Sequence, residues 1–239
     1  MAKVPAKSAA VYFDEFVFSG YLNSTDQTVT PETPVTSALS DAGPRRVMGN
    51  YDVSHSDQGF MDTADDSYDE QLFTAMVEAG DHYLGKMFAG IAEGAVAYES
   101  VVKISGEPRS AAVGGAIVLN FDSQGSGGIF RGVVLRSGAA VVGNGAGQNL
   151  GATVAGQELA VVFRVIAVAG GNIQMHIEGG AADPPAVDIA GLTTTLMVAP
   201  GVERVSTIAA TDAWKRVVTA GTFTSATILV TIGVVMGSG

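Results

Sequence analysis

A chain of 239 residues, 47% of them hydrophobic, is long enough for one large β domain or two small ones with a sizeable apolar core. The absence of cysteine excludes disulfides, thiolate metal sites and a cysteine nucleophile together. With 13 Lys and Arg against 24 Asp and Glu, the net charge of −11 excludes a groove that grips phosphates by releasing counterions.

The acidity belongs to the first part of the chain: through Arg109 there are 7 basic and 17 acidic residues, and after it 6 and 7. Glycine contributes 31 residues, and the apolar positions favour Val, Ile and Ala, a mixture suited to short strands joined by glycine turns.

Residues 1–10 hold two lysines and no apolar run fit for a signal-peptide core, and are expected to be an arm. Val11 to Phe18 alternates and predicts a strand. The proline-bearing segment from Thr25 to Arg46 predicts an extended loop of the kind ordered by a partner. Arg46 to Asp57 then places Val47, Gly49, Tyr51, Val53 and His55 on one face of an extended segment.

One helix is signalled, over about residues 67–79. Ser67 and Glu70 make a capping box, Asp65, Asp66 and Asp69 suit the positive end of a helix, and Gly80 supplies the stop. Tyr68, Leu72, Phe73, Met76 and Val77 form an apolar stripe expected to pack on a sheet, which leaves Glu70, Thr74 and Glu78 on the reverse face.

Strands are predicted at Tyr83 to Ala89, Ala95 to Ile104, Ala111 to Asp122 and Gly128 to Arg136. A Gly-, Ala- and Asn-rich stretch, Ser137 to Gly156, reads as a loop or seam. Strands resume at Glu158 to Val168, Asn172 to Glu178, Thr193 to Ala199, Glu203 to Ala209, Trp214 to Ala220 and Ala226 to Val235. The resulting fold class is mainly β: an antiparallel, jelly-roll-like sandwich with one flanking helix, in a single domain spanning 1–239. Ala226 to Met236, the most apolar stretch, is too short to span a bilayer as a helix, so no membrane role is expected.

Candidate chemistry yields to plainer readings. His55, His82 and His176 are scattered; His176 and Glu178 share a strand face but supply too few ligands for a metal. The acidic run from Asp62 to Glu70 lacks the glycine and alternating oxygens of a calcium loop, and helix capping explains it. As paired carboxylates for sugar cleavage it lacks an aromatic cleft, Trp214 being the only tryptophan. Gly125-Ser126-Gly127-Gly128 and Gly143-x-Gly145-x-Gly147 carry no Lys-Ser/Thr and read as turns. No catalytic residue, cofactor or metal is expected.

Two segments resemble the tail tube (major tail) proteins of siphophages. One is Phe18-Ser19-Gly20-Tyr21-Leu22-Asn23-Ser24 followed by the small-residue stretch Thr36 to Asp41. The other is Gly49-Asn50-Tyr51-Asp52-Val53-Ser54-His55-Ser56-Asp57-Gln58-Gly59-Phe60-Met61-Asp62, which closes on Gly-Phe-x-Asp before the acidic helix start. The part from Gly156 to Val234 is similar to the strand set that ends such proteins. The resemblance implies a structural subunit of the virion tail, assembled in the bacterial cytoplasm, whose copies form hexameric rings stacked around a channel. DNA would pass without specific binding, and tape-measure, terminator or tip proteins would be partners.

Expected subunit contacts are Thr30, Glu32, Thr33, Val35, Thr36 and Leu39 in the loop, with Glu70, Thr74 and Glu78 on the helix. A capsid decoration or tail fibre protein of jelly-roll fold, and a monomeric ligand-binding β-sandwich, are the alternative readings.

Overall fold

The computed structural model describes residues 8–31, 51–61, 68–78, 80–111 and 117–236. The chain divides into two compact units, each discontinuous in sequence. The first comprises Met1–Ser19, Tyr83–Glu99 and Phe130–Gly239; the second comprises Gly20–His82 and Ser100–Ile129. Two long strands, β6 (Val96–Gly106) and β8 (Ile117–Ala140), contribute residues to both units.

In the first unit β1 (Ala10–Phe13) and β2 (Phe16–Val17) form a tight hairpin. It replaces the single strand expected over Val11 to Phe18. The break falls at Asp14, whose φ of 51° reverses the chain and whose side chain accepts a hydrogen bond from the Tyr83 amide at 2.7 Å. β5 (His82–Met87) pairs with β1, while β11 (Leu159–Ala169) lies between β14 (Gly201–Thr207) and β16 (Ser225–Val235), with β8 next to β16.

A second sheet holds β9 (Gly143–Asn144), β10 (Gln148–Asn149), β12 (Ile173–Gly180), β13 (Val187–Thr193) and β15 (Trp214–Gly221). Alternation sends Val161, Phe163 and Val165 of β11 and Ile228, Val230 and Ile232 of β16 into one core with Ile173, Met175 and Ile177 of β12 and Val217 of β15. This unit is the expected sandwich of antiparallel sheets.

Several elements differ from expectation. The strands predicted at Ala111 to Asp122 and Gly128 to Arg136 are joined in β8, so Gly125-Ser126-Gly127-Gly128 is strand and not a turn. A Cβ at Gly125 would lie 3.2 Å from the Val53 Cβ, and one at Gly127 would lie 3.0 Å from the Val101 Cβ. These glycines let β-branched neighbours approach the strand closely. The strand expected at Thr193 to Ala199 ends at Thr193, and Met197 makes only an isolated bridge to Ile173.

At the centre of β11, Arg164 is fully buried among apolar neighbours. Its Nη1 and Nη2 donate to Glu99 Oε1 and Oε2 at 2.6 and 2.8 Å, and its Nε donates to the Asp14 carbonyl at 2.6 Å. Thr231 Oγ1 donates to Glu99 Oε1 at 2.8 Å, and the guanidinium lies 5.9 Å from the centroid of the Tyr12 ring. A Cβ at Gly85 would lie 2.7 Å from Glu99 Oε1, and the pinned carboxylate has nowhere to retreat. Gly85→Ala is therefore expected to cost about 1–3 kcal/mol of stability, read from the urea midpoint.

In the second unit β3 (Leu22–Pro31) pairs with β4 (Tyr51–Phe60), and β4 pairs with the first part of β8, which also pairs with β7 (Arg109–Ala111). The helix α1 (Tyr68–Val77) lies where the capping box placed it. Among the described residues no helix is long and apolar enough to cross a membrane.

Candidate assembly surface

The ribbon of β3, β4 and β8 is built by strict alternation. Val53, His55 and Asp57 of β4 and Leu119, Phe121 and Ser123 of β8 are buried, so the residues between them face the other side. On the buried side His55 Nε2 lies 2.8 Å from Ser100 Oγ.

Register aligns the opposite side into cross-strand rows: Ser24, Gln58 and Asn120; Asp26, Ser56 and Asp122; Thr28, Ser54 and Gln124; and Thr30 with Asp52. Every member is polar or acidic. Among the described residues of this unit the bases are Lys103 on β6 and Arg109 on β7. Arg109 is engaged: it donates to Asp69 Oδ1 at 2.8 Å and to Glu107 Oε1 at 2.8 Å. Lys103 is exposed two residues before Ser105, which lines a polar recess with Asp26, Thr28, Ser56 and Asp122.

One edge of β3 is taken by β4. Among the described residues no strand pairs with the other edge, at which alternate residues of the 10-residue strand aim their backbone donors and acceptors. Thr25 to Pro31, expected as the start of the long loop, are thus strand, because Thr25, Gln27 and Val29 turn inward in alternation with Asp26, Thr28 and Thr30.

The helix buries only part of the expected stripe. Tyr68, Leu72 and Ala75 are buried, whereas Phe73, Met76 and Val77 are 54%, 45% and 72% exposed. Aromatic contacts set this rotation: Tyr68 stacks on Tyr21 with centroids 6.3 Å apart and meets Phe121 edge-on at 6.0 Å. Burial, and then the carboxylates of Asp57, Glu107 and Asp122, push the Tyr68 phenol well above the ordinary range. Burial also raises the Glu107 carboxyl, against the lowering effect of Arg109. The Arg109 to Asp69 pair ties β7 to the first helical turn, where an acid suits the helix dipole.

No protein-family model and no curated protein sequence matches the chain. Among solved structures, it is similar to a chain in the virion of a native gene transfer agent particle, with a TM-score of 0.44, 15% identity, and coverage of 53% of this chain and 97% of that one. It is also similar to the SPP1 tail tube, with a TM-score of 0.43, 9% identity, and coverage of 54% and 78%. A third is SPP1 Dit, of the hub adsorption apparatus in phages infecting Gram-positive bacteria, with a TM-score of 0.39, 7% identity, and coverage of 94% and 98%.

Of the residues expected at subunit contacts, Thr30 lies on the outer face of β3, while Glu70, Thr74 and Glu78 are exposed on or just after α1, beside Phe73, Met76 and Val77. Glu32, Thr33, Val35, Thr36 and Leu39 lie outside the described residues, as do Val47 and Gly49. The sequence reading missed the cross-strand rows. Their signal was the alternation of Ser, Thr, Asp and Gln in β3 and β4, visible as soon as the two strands are set in register.

Proposed function

We propose that the chain is a non-enzymatic structural subunit of a phage-type tail tube, whose copies close into hexameric rings and stack around a channel for DNA. The observation that carries this reading is the β3, β4 and β8 ribbon, which combines a face of polar and acidic rows with a strand edge that no strand pairs among the described residues. The cross-strand rows are polar and acidic, with Lys103 the cation beside the recess, so the wall gives phosphates little to hold and duplex DNA slides past it. Pairing of the β3 edge with a strand of the next copy would continue the sheet around the ring and remove an edge otherwise open to aggregation.

The exposed Phe73, Met76 and Val77, flanked by Glu70, Thr74 and Glu78, supply a second contact surface of mixed character. The siphophage motifs within residues 18–24 and 49–62 overlap β3 and β4, so the resemblance and the ribbon concern the same part of the chain. Tape-measure, terminator and tip proteins are the further partners this reading implies.

Negative-stain microscopy of purified protein tests it: hollow rings or tubes are expected, and fibres, trimers or featureless small particles overturn it. The assembled protein is also expected not to retain duplex DNA at moderate salt. A variant carrying Ser54→Lys, Ser56→Lys and Gln124→Lys should retain DNA, with an affinity that falls steeply as salt rises. Tight, salt-sensitive binding by the unmodified protein would contradict the assignment of this face to the channel.

A further inference from the structure

We infer that His176, Glu178 and Asp188 form a binding site for one zinc-class divalent cation on the outer face of the second sheet. The inference stands apart from the tail tube reading and concerns the first unit alone. On β12, Ile173, Met175 and Ile177 point into the core, so His176 and Glu178 share the opposite face. The third ligand comes from β13, where Asp188 pairs directly with Glu178 across a register shift in the β12 and β13 ladder. Sequence spacing supplied two groups; strand pairing brings the third.

The donor atoms of the three side chains all lie within 4.8 Å of one another. His176 Nε2 and Asp188 Oδ1 are 3.2 Å apart. A tetrahedral zinc ion with bonds of about 2.0–2.1 Å has donor-to-donor edges of about 3.3 Å, so this pair already spans one edge.

Glu178 is held from behind. Arg216, its register partner on β15, donates through Nε at 2.6 Å and Nη2 at 2.5 Å, both to Oε2, which leaves Oε1 for a metal. An outer partner of this kind orients a ligand carboxylate. The guanidinium also cancels one of the two negative charges, so charge alone gives a hard cation little hold. The imidazole nitrogen then decides selectivity, in favour of zinc over magnesium or calcium. The Asp188 side chain is 72% exposed, against 21% for His176, so the site opens to solvent on one side and has room for a water ligand.

Isothermal titration of Zn2+ into the full chain at neutral pH tests the site. One ion per chain is expected, with no uptake of Mg2+ at the same concentration and a higher melting temperature in zinc. Asp188→Asn, at an exposed position that leaves the fold intact, and His176→Gln should each weaken binding about tenfold or more and abolish the thermal shift. Asp52→Asn, in the second unit, should change neither. Absence of zinc uptake, or uptake unaltered by both ligand substitutions, overturns the inference.

Discussion

Glu99→Ala is expected to destabilise the protein by about 3–5 kcal/mol, because it leaves the Arg164 guanidinium fully buried without its carboxylate. The remaining carbonyl acceptors, Asp14 and Tyr83, satisfy hydrogen bonds but not charge. The Thr231 hydroxyl loses its acceptor as well. For a chain of this size such a loss lowers the melting temperature by about 6–20 °C, measurable by calorimetry. Glu99→Leu combined with Arg164→Met removes both charges and should recover most of the loss, since a buried pair contributes little beyond an apolar pair of similar volume. A loss below about 1 kcal/mol in the single variant would show that the pair is not enclosed as described.

Proline at the β3 edge is expected to abolish assembly without unfolding the subunit, at one of two adjacent positions. In an antiparallel strand, successive amides point alternately toward the neighbour and away from it. Of Gln27 and Thr28, paired with His55 and Ser54, one therefore donates toward β4 and the other toward the opposite edge. Gln27→Pro and Thr28→Pro should separate accordingly. The variant that loses an inward amide should be destabilised by several kcal/mol. The other should keep the thermal transition of the unmodified protein yet form no rings in negative stain. Normal rings or tubes from both variants, each folded as well as the parent, would remove the β3 edge from the ring interface.

The helix illustrates how much local signals carry. Ser67, Glu70 and Gly80 bound it to within a residue or two of Tyr68–Val77, because capping is chemistry between neighbours in sequence. Its buried face was not legible in the same way. Tyr68, Leu72, Phe73, Met76 and Val77 made the more apolar stripe, yet the stacking of Tyr68 on Tyr21 and its edge-on contact with Phe121 rotated the helix so that Ala75 is buried and Val77 exposed. Hydrophobicity states which residues gain from burial, not which partner is there to bury them.

Glycine misled for a related reason. In Gly125-Ser126-Gly127-Gly128 it served the close approach of Val53 and Val101 across β8, while a turn requires the same residue type for its backbone freedom. Arg164 is a lone cation inside Leu-Ala-Val-Val-Phe-Arg-Val-Ile, a signal of a buried charge that the sequence reading passed over. Its partner, Glu99, lies 65 residues away and has no local trace.

By itself, then, the sequence determined the mainly β class, the position of the single predicted helix, the strand positions of β11, β12 and β16, and the acidic balance of the first part. Each follows from composition or from periods of two and 3.6 residues, which are properties of neighbouring side chains. Only the tertiary structure decided which alternating faces align into the polar rows of the ribbon, which edge of β3 pairs with β4, and which carboxylate stands beside His176. Those depend on register between strands far apart in the chain, and a shift of one residue would turn each of those side chains to the opposite face.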